Sequence, residues 1–313
     1  MELMTKNITI PIDGSKNSLR SLDYLELMFG LKHDLKVLIC YILPALPLIF
    51  DNDKAMNKTE RQRLRAIEKK NIDVAERILT QAKTIMTEKG FPEDQIQTIY
   101  HKRRRSVTID VCHYADRDKA DTILLTRRGR TEVKDFFMGE VSQNIVEYCQ
   151  ALPVWILGGA IRSKKVLIGV DSSENALRAV EHAGFMLSGT DCQVTIFHTI
   201  RSIGRFIPLE VLNEVPEIEE LWRNKAGQEI TSYIEASKAI LLEAGLAEDQ
   251  ISISVVDGSR SAANDIFDEA NAGDYGTIVI GRRGISMIKE FFMGSVSSKV
   301  LRGSDKFAVW IVQ

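Results

Sequence analysis

Along this chain, short runs of apolar residues alternate with longer stretches of helical periodicity. In the second half, Val166–Val170 is an apolar run ending in Asp171, and Gln193–Thr199 is rich in β-forming residues. Ile251–Val256 alternates apolar and polar positions, Thr277–Ile280 is continuously apolar, and Ala308–Val312 closes the chain. Helical spacing fills the intervals 173–188, 216–244, 261–272 and 295–302. Short apolar strands separated by helices predict an α/β fold: an open parallel sheet with helices on both faces and right-handed crossovers. The long charged segments Thr59–Lys89 and Glu217–Glu243 read as amphipathic surface helices.

The pattern occurs twice. Residues 126–146 (TRRGRTEVKDFFMGEVSQNIV) align with 281–301 (GRRGISMIKEFFMGSVSSKVL) at an offset of 155, with ten of 21 positions identical. NITIPIDGSKNSLRSLDYLE (7–26) answers KVLIGVDSSENALRAVEHAG (165–184), GFPEDQI (90–96) answers GLAEDQI (245–251), and LPVWIL (152–157) answers FAVWIV (307–312). Asp13 and Asp171 are 158 apart, so the first copy holds three extra residues before Gly90. Two homologous domains are expected, at 1–158 and 164–313, joined by the short Gly158–Ser163 linker.

A chain of 313 residues is long enough for two such cores. An apolar fraction of 44% and a charged fraction of 27% are those of a globular protein. A net charge of -2 gives no reason to expect nucleic acid or anionic membrane as a partner. The longest apolar stretch, Val37 to Phe50, is too short to span a bilayer and contains Pro44 and Pro47, and the start lacks a signal-peptide h-region. Cys40, Cys112, Cys149 and Cys192 are scattered without a C-x-x-C pair, which fits a reducing cytoplasm and argues against a zinc site or a disulfide framework. The five dispersed histidines suggest no metal cluster either.

The chemistry concentrates in the second copy of the repeated stretch. Thr277–Ile280 is its fourth strand, and Gly281 stands at the carboxyl end, where open α/β sheets bind ligands. Glycines at 281 and 284 let backbone approach a ligand or adopt positive φ. Gly294 opens a helix beginning Ser295-Val296-Ser297-Ser298. Helix starts offer backbone N–H groups and partial positive charge to phosphate oxygens, and the hydroxyls of Ser295 and Ser297 can add donors. Asp171, ending the first strand, can accept from ribose hydroxyls. Singly, each piece has a plain structural reading: strand-end glycines as turns, Ser295 as a cap, Asp171 with Ser172-Ser173 as a local turn. Together, in one alternating α/β repeat, they point to a nucleotide. Among rival classes, a pure interaction scaffold would treat the glycines as structural. An adenylate-forming or redox enzyme would need a glycine-rich loop after the first strand, where the chain has Asp171-Ser172-Ser173 and Asp13-Gly14-Ser15.

Through Val170-Asp171, Phe197-His198-Thr199 and Gly281-x2-Gly284-x9-Gly294-Ser295, and their counterparts in the first copy, both halves resemble the universal stress protein family. The whole chain resembles a tandem member. The resemblance implies two parallel five-stranded sheets of order 3-2-1-4-5, and ATP (or ADP); Mg²⁺ is the default companion ion of a triphosphate. It implies ribose near Asp171, adenine near the backbone of Val170 and Thr199, and phosphates along Gly284, Gly294, Ser295, Val296 and Ser297. It further implies a cytoplasmic stress or regulatory role with slow hydrolysis or none, and pairing through the last strands, Ala308–Val312 and Pro153–Ile156, within the chain or as a homodimer.

The first copy departs from the pattern. Asp13, Gly129 and Gly139 match, but Thr126 replaces a glycine, Glu140 replaces the helix-start serine, and Arg103 stands where the second copy has Gly258. A carboxylate at Glu140 suits the helix dipole and competes with phosphate for the same N–H groups, so the first copy is not expected to hold ATP. Arg282 and Arg283 flank the intact motif and can pair with phosphates, although their twins Arg127 and Arg128 persist in the degraded copy. Lys289 and Lys134 form a similar pair. The repeated Phe-Phe-Met (136–138 and 291–293) reads as an apolar plug, His198 as a satisfied core histidine, and Trp155 and Trp310 as core or interface packing. The basic run His101–Arg105 reads as a solvated loop.

Overall fold

A computed structural model describes residues 5–30, 34–46, 56–127, 139–258, 261–283 and 293–313. The described residues form two units, one of 5–26 and 34–152, the other of 27–30 and 153–313.

In the first unit, strands β1 (Lys6–Pro11), β2 (Leu35–Leu43), β3 (Ile96–Lys102) and β4 (Thr122–Thr126) alternate with helices α1 (Lys16–Phe29), α2 (Lys58–Glu88), α3 (Val107–Arg117) and α4 (Gly139–Tyr148). The strands pair in parallel in the order β3-β2-β1-β4. Helix α2 begins at a capping box. The Asn57 side chain accepts from the Glu60 N–H at 2.9 Å, and the Glu60 carboxylate accepts from the Asn57 N–H at 2.9 Å. Its apolar stripe, Ala75, Leu79, Ala82 and Met86, is buried at spacings of three and four while the rest of the helix is largely exposed.

One expectation is corrected in this unit. Cys112 on α3 and Cys149 just beyond α4 are joined as a disulfide, their Cα atoms 5.5 Å apart. A sequence separation of 37 hid the pair. The closed loop spans β4 and α4, so the bond restricts the unfolded chain and adds about 2–4 kcal/mol. A reducing agent is therefore expected to lower the unfolding midpoint of this unit. A Cys149→Ser variant should show the lower midpoint with or without reductant. Denaturant unfolding of both proteins, with the thiols counted in parallel, checks this. The other two cysteines are buried, and burial pushes the Cys40 thiol up to about 12, leaving it unreactive.

The second unit contains β5 (Val154–Leu157), β6 (Lys165–Gly169), α5 (Glu174–Leu187), β7 (Gln193–Ile200), α6 (Leu209–Glu214), α7 (Glu217–Glu243), β8 (Ile251–Asp257), α8 (Ala262–Ala272), β9 (Thr277–Gly281), α9 (Ser295–Gly303) and β10 (Ala308–Val312). The five strands of the second repeat run parallel in the order β10-β9-β6-β7-β8, the 3-2-1-4-5 arrangement counted within the repeat. The last strand of the first repeat, β5, adds to this sheet antiparallel to β10 with Trp155 opposite Trp310. The expected pairing of last strands thus occurs within the chain. The two indoles stack at 3.7 Å with 2° between their planes, and both are fully buried. His182 of α5 meets both rings edge-on and accepts the Trp155 Nε1–H at 3.1 Å. Burial drives the His182 pKa down to about 3, so the ring is neutral. No helix among the described residues is long and apolar enough to cross a membrane.

Candidate functional site

The carboxyl ends of β6, β7 and β9 face the start of α9 around a cavity of about 280 Å³, close to the smaller end of ligand sites. Its wall includes Val170, Asp171, Thr199, Gly281, Gly294, Ser295, Val296 and Ser297. Eight of the nine residues singled out from the sequence therefore meet at one concavity. The ninth, Gly284, lies outside the described residues, as do Gly129, Arg128, Lys134, Lys289 and both Phe-Phe pairs.

Each wall has a local cause. Gly294 is the N-cap of α9 with φ -59° and ψ 155°, and the helix's first backbone bond runs from the Ser298 N–H to the Gly294 carbonyl at 2.9 Å. The N–H groups of Ser295, Val296 and Ser297 therefore precede the intrahelical ladder, the arrangement that suits an anion. The Ser297 hydroxyl, expected to face phosphate, instead donates to the Gly281 carbonyl at 2.8 Å and is buried. It ties α9 to the end of β9, which leaves Ser295 as the half of that pair with an exposed side chain.

Gly281 is needed for a reason other than ligand approach. Its backbone is an ordinary strand, outside the positive-φ set. A Cβ there would come within 2.8 Å of the Asn175 carbonyl oxygen, in the first turn of α5. The glycine lets α5 close onto β9.

Asp171 accepts from the Ser173 backbone N–H at 3.2 Å and from its hydroxyl, and the Ser173 hydroxyl in turn caps α5 by accepting from the Ala176 N–H at 3.2 Å. This is the local turn anticipated for Asp171. A carboxylate has about four acceptor positions, so the turn and a ligand hydroxyl are compatible. The Thr199 hydroxyl donates to the buried Asp265 at 2.8 Å, and His198 Nδ1 lies 2.8 Å from the Val170 carbonyl. Burial lowers the His198 pKa, so its ring is neutral and donates from Nδ1, a satisfied histidine. The paired arginines separate. Arg282 is buried and donates to the Gln313 side chain at 2.7 Å, whereas Arg283 is on the cavity wall.

Sequence reasoning missed part of the wall. Arg201, Phe206, Trp222, Ala226 and Glu229 also line the cavity. The available signal was a lone tryptophan inside the charged stretch EELWRNK (219–225).

Strand register exposes how the first repeat differs. Thr199 pairs with Val256 on β8, and Ile42 pairs with His101 on β3, so Ile42 occupies the Thr199 position and Tyr41 the His198 position. Asp110, the counterpart of Asp265, has no threonine to receive. It accepts instead from the Arg104 and Arg105 backbone N–H groups at 2.8 and 3.2 Å. In the second repeat a side chain at Gly258 would collide with Thr199 and Asp265, and the first repeat carries Arg103 there. Burial, with the Asp13 carboxylate as a second cause, raises the Tyr41 pKa, which places an uncharged phenol beside the first copy's aspartate.

Among the described residues no three His, Cys, Asp or Glu side chains converge as a metal site. A divalent ion brought by a triphosphate would be held by the phosphates and water.

The Universal stress protein family profile matches residues 4–158 and again 162–313. Universal stress protein YxiE of Bacillus subtilis (strain 168) is 30% identical over 139 residues, covering 44% of this chain and 90% of the relative. A universal stress protein from Archaeoglobus fulgidus DSM 4304 is similar in structure with a TM-score of 0.61 at 18% identity, covering 99% of this chain and 96% of its own. A universal stress protein from Pseudomonas aeruginosa UCBPP-PA14 gives 0.53 at 16% identity, covering 99% and 93%. At such identities the structures speak to the fold, while the two profile matches carry the assignment: the chain belongs to the universal stress protein family as a tandem, two-domain member.

Proposed function

We propose that the second repeat, residues 164–313, binds ATP or ADP in the cavity at the ends of β6, β7 and β9, and that the first repeat, 1–158, does not. The observation that carries the reading is the junction of Asp171, Gly294 and the leading N–H groups of α9 on one cavity. Phosphates lie on Gly294, Ser295, Val296 and Ser297, with Gly284 adjoining, and the Ser297 contact comes from its backbone. The ribose hydroxyls reach Asp171, and the base lies beside Val170 and Thr199. In the first repeat, Ile42 replaces the Thr199 position, Thr126 that of Gly281 and Glu140 that of Ser295.

Mg²⁺ bound with the triphosphate would offset its charge and hold its conformation. The chain's own contribution is positioning. The described lining holds no lysine, and the imidazole that interacts with its acids Asp171 and Glu229, His198, has Nδ1 engaged by the Val170 carbonyl. Hydrolysis is therefore slow or absent, and the protein acts as a nucleotide-responsive regulatory component. A second reading, a nucleotide-independent scaffold, draws on the β5–β10 pairing, which uses no residue of the cavity wall.

Denaturing the purified protein and identifying released small molecules by mass, followed by equilibrium dialysis with added ATP, separates the two. About one adenine nucleotide per chain is the expected result. No released nucleotide and no binding of added ATP would leave the scaffold reading.

A further inference from the structure

The cavity carries an order that the proposed ligand shares. Across the sheet, Gly281 is on β9, Asp171 follows β6, and Thr199 is on β7, three neighbouring strands in the sequence β9-β6-β7. Neighbouring strands are spaced about 4.8 Å apart. A nucleotide runs phosphate, sugar, base. With phosphates at the α9 start beside β9 and sugar at Asp171, the base falls at the end of β7.

What stands there is aromatic. Trp222 of α7 donates its Nε1–H to the Arg201 carbonyl at 2.8 Å, two residues beyond Thr199. That bond fixes the indole at the β7 end. Phe206 lies 5.4 Å from it, tilted by 50°, and is 61% exposed, a large apolar ring left in water at the cavity's edge. Both rings line the cavity. Trp222, Ala226, Glu229 and Ile230 follow one another on α7 at i, i+4, i+7 and i+8, so one helix face forms this wall.

Resting on the nucleotide reading above, we infer that Trp222, supported by Phe206, is the base-selecting residue of the site. Its indole face takes the nucleobase by stacking, favouring purine over pyrimidine nucleotides, while α9 holds the phosphates whatever the base. An aromatic face reads ring area and polarisability and makes no contact with the phosphate chain, so it changes base preference without changing affinity for the phosphate chain itself.

The test titrates the full chain with ATP, GTP, CTP and tripolyphosphate by calorimetry. Tryptophan emission is followed in parallel, since Trp155 and Trp310 are fully buried away from the cavity wall and Trp222 is the responsive indole. Trp222→Ala is expected to weaken ATP and GTP about 10–100-fold, to leave tripolyphosphate within about 2-fold, and to abolish the emission change. Trp222→Phe should restore purine binding to within a few-fold of the original. The inference is overturned if ATP binds the original protein and Trp222→Ala equally, or if CTP binds the original as tightly as ATP. An original protein that binds no nucleotide at all would overturn the nucleotide reading, and the inference with it.

Discussion

Replacing Ser295 by glutamate, the residue the first repeat carries at the matching position 140, is expected to weaken ATP binding about 1000-fold. The cause is electrostatic. The new carboxylate would stand at the start of α9, within reach of the N–H groups of Ser295, Val296 and Ser297. Two unit charges about 4 Å apart at an effective dielectric near 20 repel by about 4 kcal/mol, and each 1.4 kcal/mol is tenfold in affinity. The carboxylate also satisfies the helix dipole, so the fold should tolerate it. Ser295→Ala is the control. It removes one hydroxyl and should cost about 0.5–1.5 kcal/mol, roughly tenfold or less. Calorimetric titration of the two variants decides the matter, and equal ATP affinity in Ser295→Glu and the original protein would remove phosphates from α9. The reverse exchange, Glu140→Ser, should not create a second site, because Ile42 and Arg103 remain at the positions of Thr199 and Gly258.

The second large effect is on acid stability. Neutral His182, enclosed by Trp155 and Trp310, has its pKa lowered to about 3 by burial, against 6.5 when exposed. Below pH 6.5 the unfolded chain therefore takes up a proton that the folded one refuses. The stability owed to this group is fully present above pH 6.5 and declines as pH falls toward 3, at about 1.4 kcal/mol per pH unit. By pH 5 the loss is about 2 kcal/mol. His182→Gln keeps an acceptor for the Trp155 N–H and does not titrate in this range. It should be less stable than the original at pH 7.5, because amide shape fits the two indoles poorly, yet lose less between pH 7.5 and 5. Denaturant unfolding at both values measures the difference. Parallel pH dependence in the two proteins would show that the imidazole is protonated in the folded chain. His198 and His101, also lowered mainly by burial, act in the same direction and are common to both proteins.

How much of this was visible beforehand differs by element. The strand at Thr277–Gly281 is a continuous apolar run because it is buried on both faces, and the apolar pattern locates it almost to the residue. Helix α7 was equally plain from its spacing, with Ile230, Ile234 and Leu241 buried. Short α6, at Leu209–Glu214, was not, since six residues carry too little periodicity to register. At the site, Asp171, Gly281 and Gly294 were legible because their residue types are unusual at strand and helix ends. Their duties were less so. Ser297 proved to be a clasp between α9 and β9, and Gly281 a relief for the first turn of α5.

The order of residues by itself determined that the chain repeats, that each repeat is an alternating α/β unit, and that the second alone keeps a complete glycine–serine motif. Those properties are local: they follow from side-chain periodicity and from which residue types can end a strand or begin a helix. Tertiary structure decided the rest. It brought Cys112 to Cys149 across 37 positions, set Trp155 on Trp310 across an antiparallel pair, and carried Trp222 to the end of β7 beside Thr199. Each of these depends on which strands become neighbours and which helix face closes over them. Such contacts join positions whose separation in the chain carries no periodic signal, so only the folded backbone can reveal them.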